Sequence, residues 1–279
     1  MREDYGKEAR MIYLSFGGGV QSTALLILSA LGLRGCPRAD VAIFADTQDE
    51  PGWVYRHLDR LEPWAAARRI PVLRVTAGRL SDQVLHPRPG RWASIPGWTP
   101  SETRGVSPLR RQCTKEFKIL PIERKVRELL GYRAGQRVRE KVTALLGISI
   151  EEAHRMRDSQ TPWIQNRYPL VEARMGRRDC VDLIRAQDLP VPKKSACVFC
   201  PYHSGIYWLE LRDHYPEEWA RAVRMDNVIR NMTAKGVTRP VFLHRSLRPL
   251  QSLELRPADE DPQLSLEGFG NECEGLCGV

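Results

Sequence analysis

A glycine-rich turn between two apolar segments, in residues 11–28, constrains the fold more than any other feature of the chain. Residues 11–14 are a short apolar run that predicts a strand, and residues 20–31 are rich in Ala and Leu and predict a buried helix. Glycines let the backbone approach a phosphate, and the N–H groups at a helix start attract anions. The pattern predicts a phosphate site in an α/β protein, with a plain glycine turn as the alternative. The candidate binding residues are Ser15, Gly17, Gly18, Gly19, Gln21, Ser22 and Thr23.

The turn matches neither of two common phosphate-binding motifs. No Gly-Lys-Ser/Thr follows it, as a Walker loop requires, and Ser22 stands where a dinucleotide fingerprint needs its third glycine. Residues 15–22 resemble instead the PP-loop of ATP pyrophosphatases, in the form found in relatives of phosphoadenosine-phosphosulfate (PAPS) reductase. The resemblance implies binding of ATP with Mg²⁺, although Gln21 stands where the family commonly has Asp. We expect a side chain at Gly18 to fill the space that the phosphate needs, and so to abolish nucleotide binding in a protein that stays folded.

Positive charge is concentrated in the middle of the chain. The net charge is +9, and residues 86–141 hold 14 Lys and Arg against 5 Glu, whereas residues 254–274 hold 7 acids and one Arg. A basic segment indicates a polyanionic partner such as ATP, a sulfonucleotide or nucleic acid. Trp92 and Trp98, interleaved with arginines, could stack nucleic-acid bases. The alternatives are a solvated basic surface and, for the loop itself, a surface excursion held by two buried tryptophans.

The lack of a recognisable targeting signal and the cysteine usage favour a cytoplasmic protein with no membrane partner. The first residues contain no apolar signal region, and the longest apolar stretch, residues 24–33, is too short to cross a bilayer. The chain has seven cysteines, an odd number, and they are clustered. In a cytosolic chain this favours metal or thiol chemistry over disulfides.

Two further predicted strands would bring acidic and basic residues close to the glycine turn. Residues 41–46 predict a parallel strand that ends at Asp46, and ligands bind at the carboxyl ends of such strands. A role for Asp46 as a helix cap is the alternative. Residues 142–148 predict another strand, and residues 147–155 resemble the segment that follows a strand in the PP-loop family. That resemblance implies that Arg155 faces the phosphates and that Glu152 orients Arg155 or Mg²⁺. Between these strands, residues 78–112 predict a long irregular loop, and Pro121 predicts the start of a helix.

The pair Cys197 and Cys200, followed by proline, is the most specific chemical signal after the glycine turn. Two thiolates at this spacing bind one metal ion or cluster. The segment around Cys113 resembles the cysteine region of iron–sulfur sulfonucleotide reductases, which implies a third ligand, and Cys273 is a candidate fourth. A [4Fe–4S] cluster, a structural zinc and a redox dithiol all remain open. Cys277, in a glycine-containing tail, is a candidate catalytic thiol.

The resemblance covers residues 11–205 and implies a doubly wound α/β fold with a mainly parallel five-stranded sheet. We expect a nucleotide-binding domain at residues 1–190 and a Cys-rich, mainly helical region at residues 191–279. The expected activity is ATP-dependent adenylation of a substrate followed by sulfur transfer, with nucleic acid as acceptor and a sulfur-donor protein as a further partner. The alternatives are reduction of PAPS or adenylylsulfate by Cys277, and a non-catalytic, zinc-containing nucleic-acid-binding module.

Overall fold

The computed structural model describes residues 11–86, 95–232 and 237–254. Its strands are β1 (Met11–Phe16), β2 (Val41–Asp46), β3 (Val72–Thr76), β4 (Trp98–Ser101), β5 (Gly105–Pro108), β6 (Val142–Leu146) and β7 (Ile164–Arg167). Five of them form a parallel sheet in the order β3-β2-β1-β6-β7. The chain therefore runs outward from β1 to β3 and then returns to the other side of β1. This is the predicted doubly wound topology, which is confirmed.

Helices cover both faces of the sheet. The α-helices are α1 (Val20–Leu31), α2 (Gly52–Ala66), α3 (Leu80–Leu85), α4 (Leu120–Leu129), α5 (Pro169–Glu172), α6 (Arg177–Arg185), α7 (Gly205–His214) and α8 (Pro216–Ile229). Alternation along β2 divides its side chains between two cores: Phe44 packs in the cluster of α1, α2 and α6, whereas Ile43 packs with α4. Almost all of α1 is buried, as its Ala- and Leu-rich sequence predicts.

The segment predicted as an irregular loop contains two regular elements within its described part, α3 and the antiparallel hairpin of β4 and β5. The hairpin is held by a distant residue, because the Trp98 backbone exchanges hydrogen bonds with Phe242 at 2.7 and 2.9 Å. Helical structure also begins earlier than Pro121 predicts. A π-helical turn, Lys115–Ile119, runs directly into α4. Neither feature has a local periodicity that the sequence reveals.

The C-terminal helices share the main core. Trp208 of α7 and Met225 of α8 belong to the same hydrophobic cluster as Leu14 of β1. The buried carboxylate of Asp226 accepts the backbone N–H groups of Leu243 at 2.8 Å and Leu250 at 3.0 Å. These bonds fasten residues 243–250 to α8. No helix in the described ranges is both long enough and apolar enough to span a membrane.

Candidate functional site

The predicted glycine turn joins β1 directly to the start of α1. Gly18 has a φ of +75°, which favours glycine, and Gly19 is the N-cap residue of the helix. The hydroxyl of Ser22 accepts the Gly19 N–H at 3.1 Å and lies 3.2 Å from the Gly19 carbonyl oxygen. The side chain of Ser22 therefore closes the first turn of the helix. Its predicted contact with phosphate remains a prediction.

The expectation that a side chain at Gly18 fills the phosphate space is wrong in its geometry. A Cβ atom built on Gly18 lies 3.4 Å from a ring carbon of Phe44 and 3.5 Å from both a methyl of Val54 and the Ser195 hydroxyl. These atoms belong to β2, to α2 and to the segment before the Cys-x-x-Cys pair. A side chain would therefore enter packed protein, so Gly18 can serve a ligand only through its backbone.

Thr23 faces helix α2. Its hydroxyl lies 2.9 Å from Nε2 of His57, and both side chains are buried. Burial, assisted by the charge of Arg60, lowers the pKa of His57 to about 4. His57 is therefore neutral at neutral pH and forms an uncharged hydrogen bond that joins α1 to α2. The structure gives Thr23 this packing contact, and its predicted contact with phosphate stays untested.

Gln21 lies at the point where the topology of the sheet reverses, between the loops that follow β1 and β6. Its amide Nε2 donates to Glu152 at 3.2 Å, and its Oε1 accepts from Arg177 at 3.2 Å. Glu152 is 1% exposed, lies on a 3₁₀ turn (Ile150–Arg155) and forms an ion pair with Arg155. An amide can donate to one partner and accept from the other, whereas an Asp at position 21 could not donate to Glu152. This network gives a physical reason for glutamine rather than aspartate at position 21.

Asp46 lies at the carboxyl end of β2, on the same edge of the sheet as the glycine turn. Its Oδ1 accepts the backbone N–H of Gln48 at 2.7 Å and the hydroxyl of Tyr55 at 2.9 Å. Burial and the bond to Asp46 both raise the pKa of Tyr55, so its hydroxyl stays protonated and donates. The strand end holds Asp46 where the sequence predicts it.

Three cysteines from two distant segments line one cavity beside this edge. Cys113 comes from the turn before the π-helix, and Cys197 and Cys200 come from the loop before α7. The space between the lining atoms amounts to ≈ 390 Å³ when the open solvent at its mouth is included. The backbone N–H of Cys200 donates to the Cys197 carbonyl at 2.9 Å, which closes a tight turn. The structure thus brings together the three predicted ligands that lie within its described ranges.

A buried ion pair beside these cysteines is the feature that the sequence interpretation missed. Lys118 Nζ lies 3.4 Å from Glu50 Oε1, with side-chain exposures of 6% and 0%. The same Glu50 oxygen is 3.8 Å from the Cys197 sulfur, which also lies 3.1 Å from the Thr47 hydroxyl. The sequence did contain a signal for this pair, because Lys118 stands between two apolar residues, Phe117 and an isoleucine, at the start of a helix. A lysine that is buried in such a position needs an acidic partner.

The donor chemistry around the cavity fits a thiolate-bound group. Soft thiolates are typical ligands of iron–sulfur clusters and zinc. The hydroxyl of Thr114, which also lines the cavity, is buried without a hydrogen-bond partner in the described structure. No disulfide joins the five described cysteines, and no group of three or more His, Cys, Asp or Glu side chains within residues 11–86, 95–232 and 237–254 forms a single-ion site. Cys273 and Cys277 lie outside the described residues.

Two described residues of the basic segment contact the Cys-x-x-Cys turn. The guanidinium of Arg111 lies 5.1 Å from the ring centre of Tyr202, and Trp98 Nε1 donates to the carbonyl of Pro201 at 3.0 Å. Trp98 is therefore half-buried against the cysteine turn, a contact of the kind expected from the alternative interpretation, in which the loop is held by buried tryptophans. Arg88, Arg91 and Trp92 lie outside the described residues.

The parallel strand order and these contacts define a doubly wound α/β protein with a candidate site at its topological switch point. A solved structure of a similar protein is the crystal structure of phosphoadenylyl-sulfate (PAPS) reductase from Candida auris, phosphate complex. The alignment covers 66% of this chain and 76% of that chain, with 14% sequence identity and a TM-score of 0.42. This neighbour is of the type that the sequence motifs resemble, but at that similarity it carries no argument about activity. No protein-family model and no curated protein matches the chain.

Proposed function

We propose that the protein is an ATP-dependent PP-loop enzyme that adenylates a substrate and transfers sulfur to it with the help of an iron–sulfur cluster. The observation that carries this proposal is the meeting of Cys113 with the pair Cys197 and Cys200 in one cavity. That cavity lies beside Thr47 and Glu50, at the same sheet edge as the glycine turn. A nucleotide site and a thiol cavity at one edge support a reaction that uses both.

In the adenylation step, a substrate oxygen attacks the α-phosphorus of ATP, and the bond to the β-phosphate oxygen breaks to release pyrophosphate. We propose that the backbone of Gly17, Gly18 and Gly19 binds the β- and γ-phosphates, together with Mg²⁺. Arg155, held in place by Glu152, would stabilise the negative charge that develops on the leaving group. Gln21 would keep Glu152 in position through their 3.2 Å hydrogen bond.

In the sulfur step, a hydrosulfide supplied by a donor attacks the adenylated carbon, the carbon–oxygen bond breaks, and AMP leaves. Cys113, Cys197 and Cys200 would hold a [4Fe–4S] cluster that carries the sulfur when bound. Thr47 would donate a hydrogen bond to the Cys197 sulfur, from which its hydroxyl lies 3.1 Å away. The buried Lys118 and Glu50 would fix the wall of the cavity next to that sulfur.

Nucleic acid is the proposed acceptor. The basic surplus of residues 86–141 supports a polyanionic substrate, because lysine and arginine neutralise phosphates along a nucleic-acid backbone. Part of that segment, at Trp98 and Arg111, contacts the cysteine turn through Pro201 and Tyr202. An acceptor bound there would lie close to the thiol cavity.

Anaerobic purification followed by iron and sulfide analysis, absorbance spectroscopy and ATP–pyrophosphate exchange tests the proposal. We expect a brown protein that contains iron and sulfide and exchanges pyrophosphate only when acceptor nucleic acid is present. A brown protein that instead turns over PAPS or adenylylsulfate without ATP would favour the reductase alternative. A colourless zinc protein without exchange would favour the binding-module alternative. Mass spectrometry of nucleic acid from cells with and without the gene would identify the modified nucleoside.

A further inference from the structure

We propose that a basic loop at the edge of the sheet opposite the cysteine cavity binds the phosphate backbone of a nucleic acid. The loop consists of residues 130–141, which join α4 to β6, and we refer to it as the arginine loop. The proposal deepens the proposed function, because it concerns how the acceptor is held. It depends neither on ATP nor on a cluster.

The arginine loop lies at the amino edge of the sheet, where the parallel strands begin. Its last residue directly precedes β6, which begins beside β1, since Val142 pairs with Met11. The glycine turn and the cysteine cavity lie at the carboxyl edge instead. Strands of five or six residues are about 17–20 Å long, so the two edges are about that far apart. The basic segment is therefore divided between two opposite edges of the sheet.

The side chains of the arginine loop are available to a ligand. Arg133, Arg137 and Arg139 are exposed, and their guanidinium groups make no hydrogen bond or ion pair with any residue that the structure describes. The single acid of the loop, Glu140, accepts the hydroxyl of Tyr132. Guanidinium groups form paired hydrogen bonds with phosphate oxygens, so three uncommitted guanidinium groups favour a partner that carries several phosphates.

The backbone of the arginine loop is fixed to the rest of the protein. Arg127 of α4 donates to the carbonyl oxygen of Arg133 at 3.4 Å. Val138 is buried in the core cluster that α4 shares with the sheet, and the two arginines on either side of it, Arg137 and Arg139, are exposed. A nucleic acid would therefore meet arginines on an ordered backbone, which lowers the entropic cost of binding.

Further arginines extend the basic surface along the amino edge. Arg38 and Arg69 lie in the connections that precede β2 and β3, and both are exposed. Neighbouring strands are about 4.8 Å apart, so the starts of β3, β2 and β6 spread over about 15 Å. A nucleic acid carries phosphates over such a length and can follow the surface to the cysteine turn. A flat anionic membrane cannot contact two opposite edges of one sheet, so a nucleic acid is the favoured partner.

The test compares wild type with the double variant Arg137→Gln/Arg139→Gln by fluorescence anisotropy, using labelled DNA and RNA duplexes of arbitrary sequence at several salt concentrations. For the duplex that is bound, the slope of log affinity against log salt should be less steep by about 2 in the variant, because each lost phosphate contact removes about 0.9. Between about 50 and about 200 mM salt, wild type should then lose about tenfold more affinity than the variant. The melting temperature should not change, because both side chains are exposed.

The matched control is Arg60→Gln/Arg224→Gln, which removes the same charge from two exposed arginines in the middle of α2 and α8. Its slope should equal that of wild type. An unchanged slope in the arginine-loop variant overturns the proposal, and so does an equal decrease in both variants, since net charge alone would then account for it. Binding through the loop without ATP–pyrophosphate exchange would retain this proposal and contradict the proposed function. Exchange with an unchanged slope would do the reverse.

Discussion

Replacement of Gly18 by valine should destabilise the protein through packing as well as through the backbone. A non-glycine residue in the left-handed region costs about 1–2 kcal/mol. Gly18 has a φ of +75°, and its missing Cβ already faces atoms of Phe44, Val54 and Ser195 at 3.4–3.5 Å. A methyl group fits at van der Waals distance, so Gly18→Ala should lower the free energy of unfolding only by the cost of the left-handed backbone conformation, about 1–2 kcal/mol. The further methyls of valine would overpack the site at about 1–3 kcal/mol more.

The matched comparison is Gly32, the C-cap residue of α1. Its φ of +63° is also left-handed, but a Cβ there meets nothing within 4 Å. Gly32→Val should therefore lower the free energy of unfolding by about 1–2 kcal/mol, whereas Gly18→Val should lower it by about 2–5 kcal/mol. Urea unfolding followed by circular dichroism measures both, provided that the dependence of the unfolding free energy on urea is the same in each variant. Equal losses at the two positions would refute the packing argument.

Three other predictions concern the cavity, the basic segment and the C-terminal anchor. Alanine at any proposed cluster ligand, Cys113, Cys197 or Cys200, should remove iron and visible absorbance, whereas Cys36→Ala should keep both and Cys277→Ala should lose only turnover. Bleaching in Cys277→Ala with a brown Cys113→Ala would contradict this assignment. Affinity for nucleic acid should fall steeply with salt, since each neutralised phosphate releases counterions, and a flat dependence in a salt titration would leave only a small-molecule substrate. Asp226→Ala should lower the free energy of unfolding by about 3–5 kcal/mol, because the buried carboxylate loses its ion pair with the half-buried Arg230 and two backbone N–H groups lose their acceptor; a loss below about 1 kcal/mol in urea unfolding would count against that anchoring role.

The sequence by itself determined the elements whose signals are local. The apolar run of β1, the glycines and the Ala- and Leu-rich α1 follow from composition and periodicity within about twenty residues. The parallel order of β1 and β2 places Asp46 near the glycine turn, because the carboxyl ends of parallel strands share an edge. The contact between Glu152 and Arg155 could also be predicted from the sequence, because their i, i+3 spacing places them about one helical turn apart.

Only the tertiary structure decided which side chains meet across the chain. Cys113 and Cys197 are far apart in sequence, and their common cavity depends on how the π-helix and the loop before α7 pack on the sheet. The Lys118–Glu50 pair, the bridge from Trp98 to Phe242 and the approach of Ser195 to Gly18 are contacts of the same kind. A sequence pattern reports the periodicity of one segment. Long-range packing fixes the direction in which a glycine's missing side chain would point and the partner that a buried charge finds.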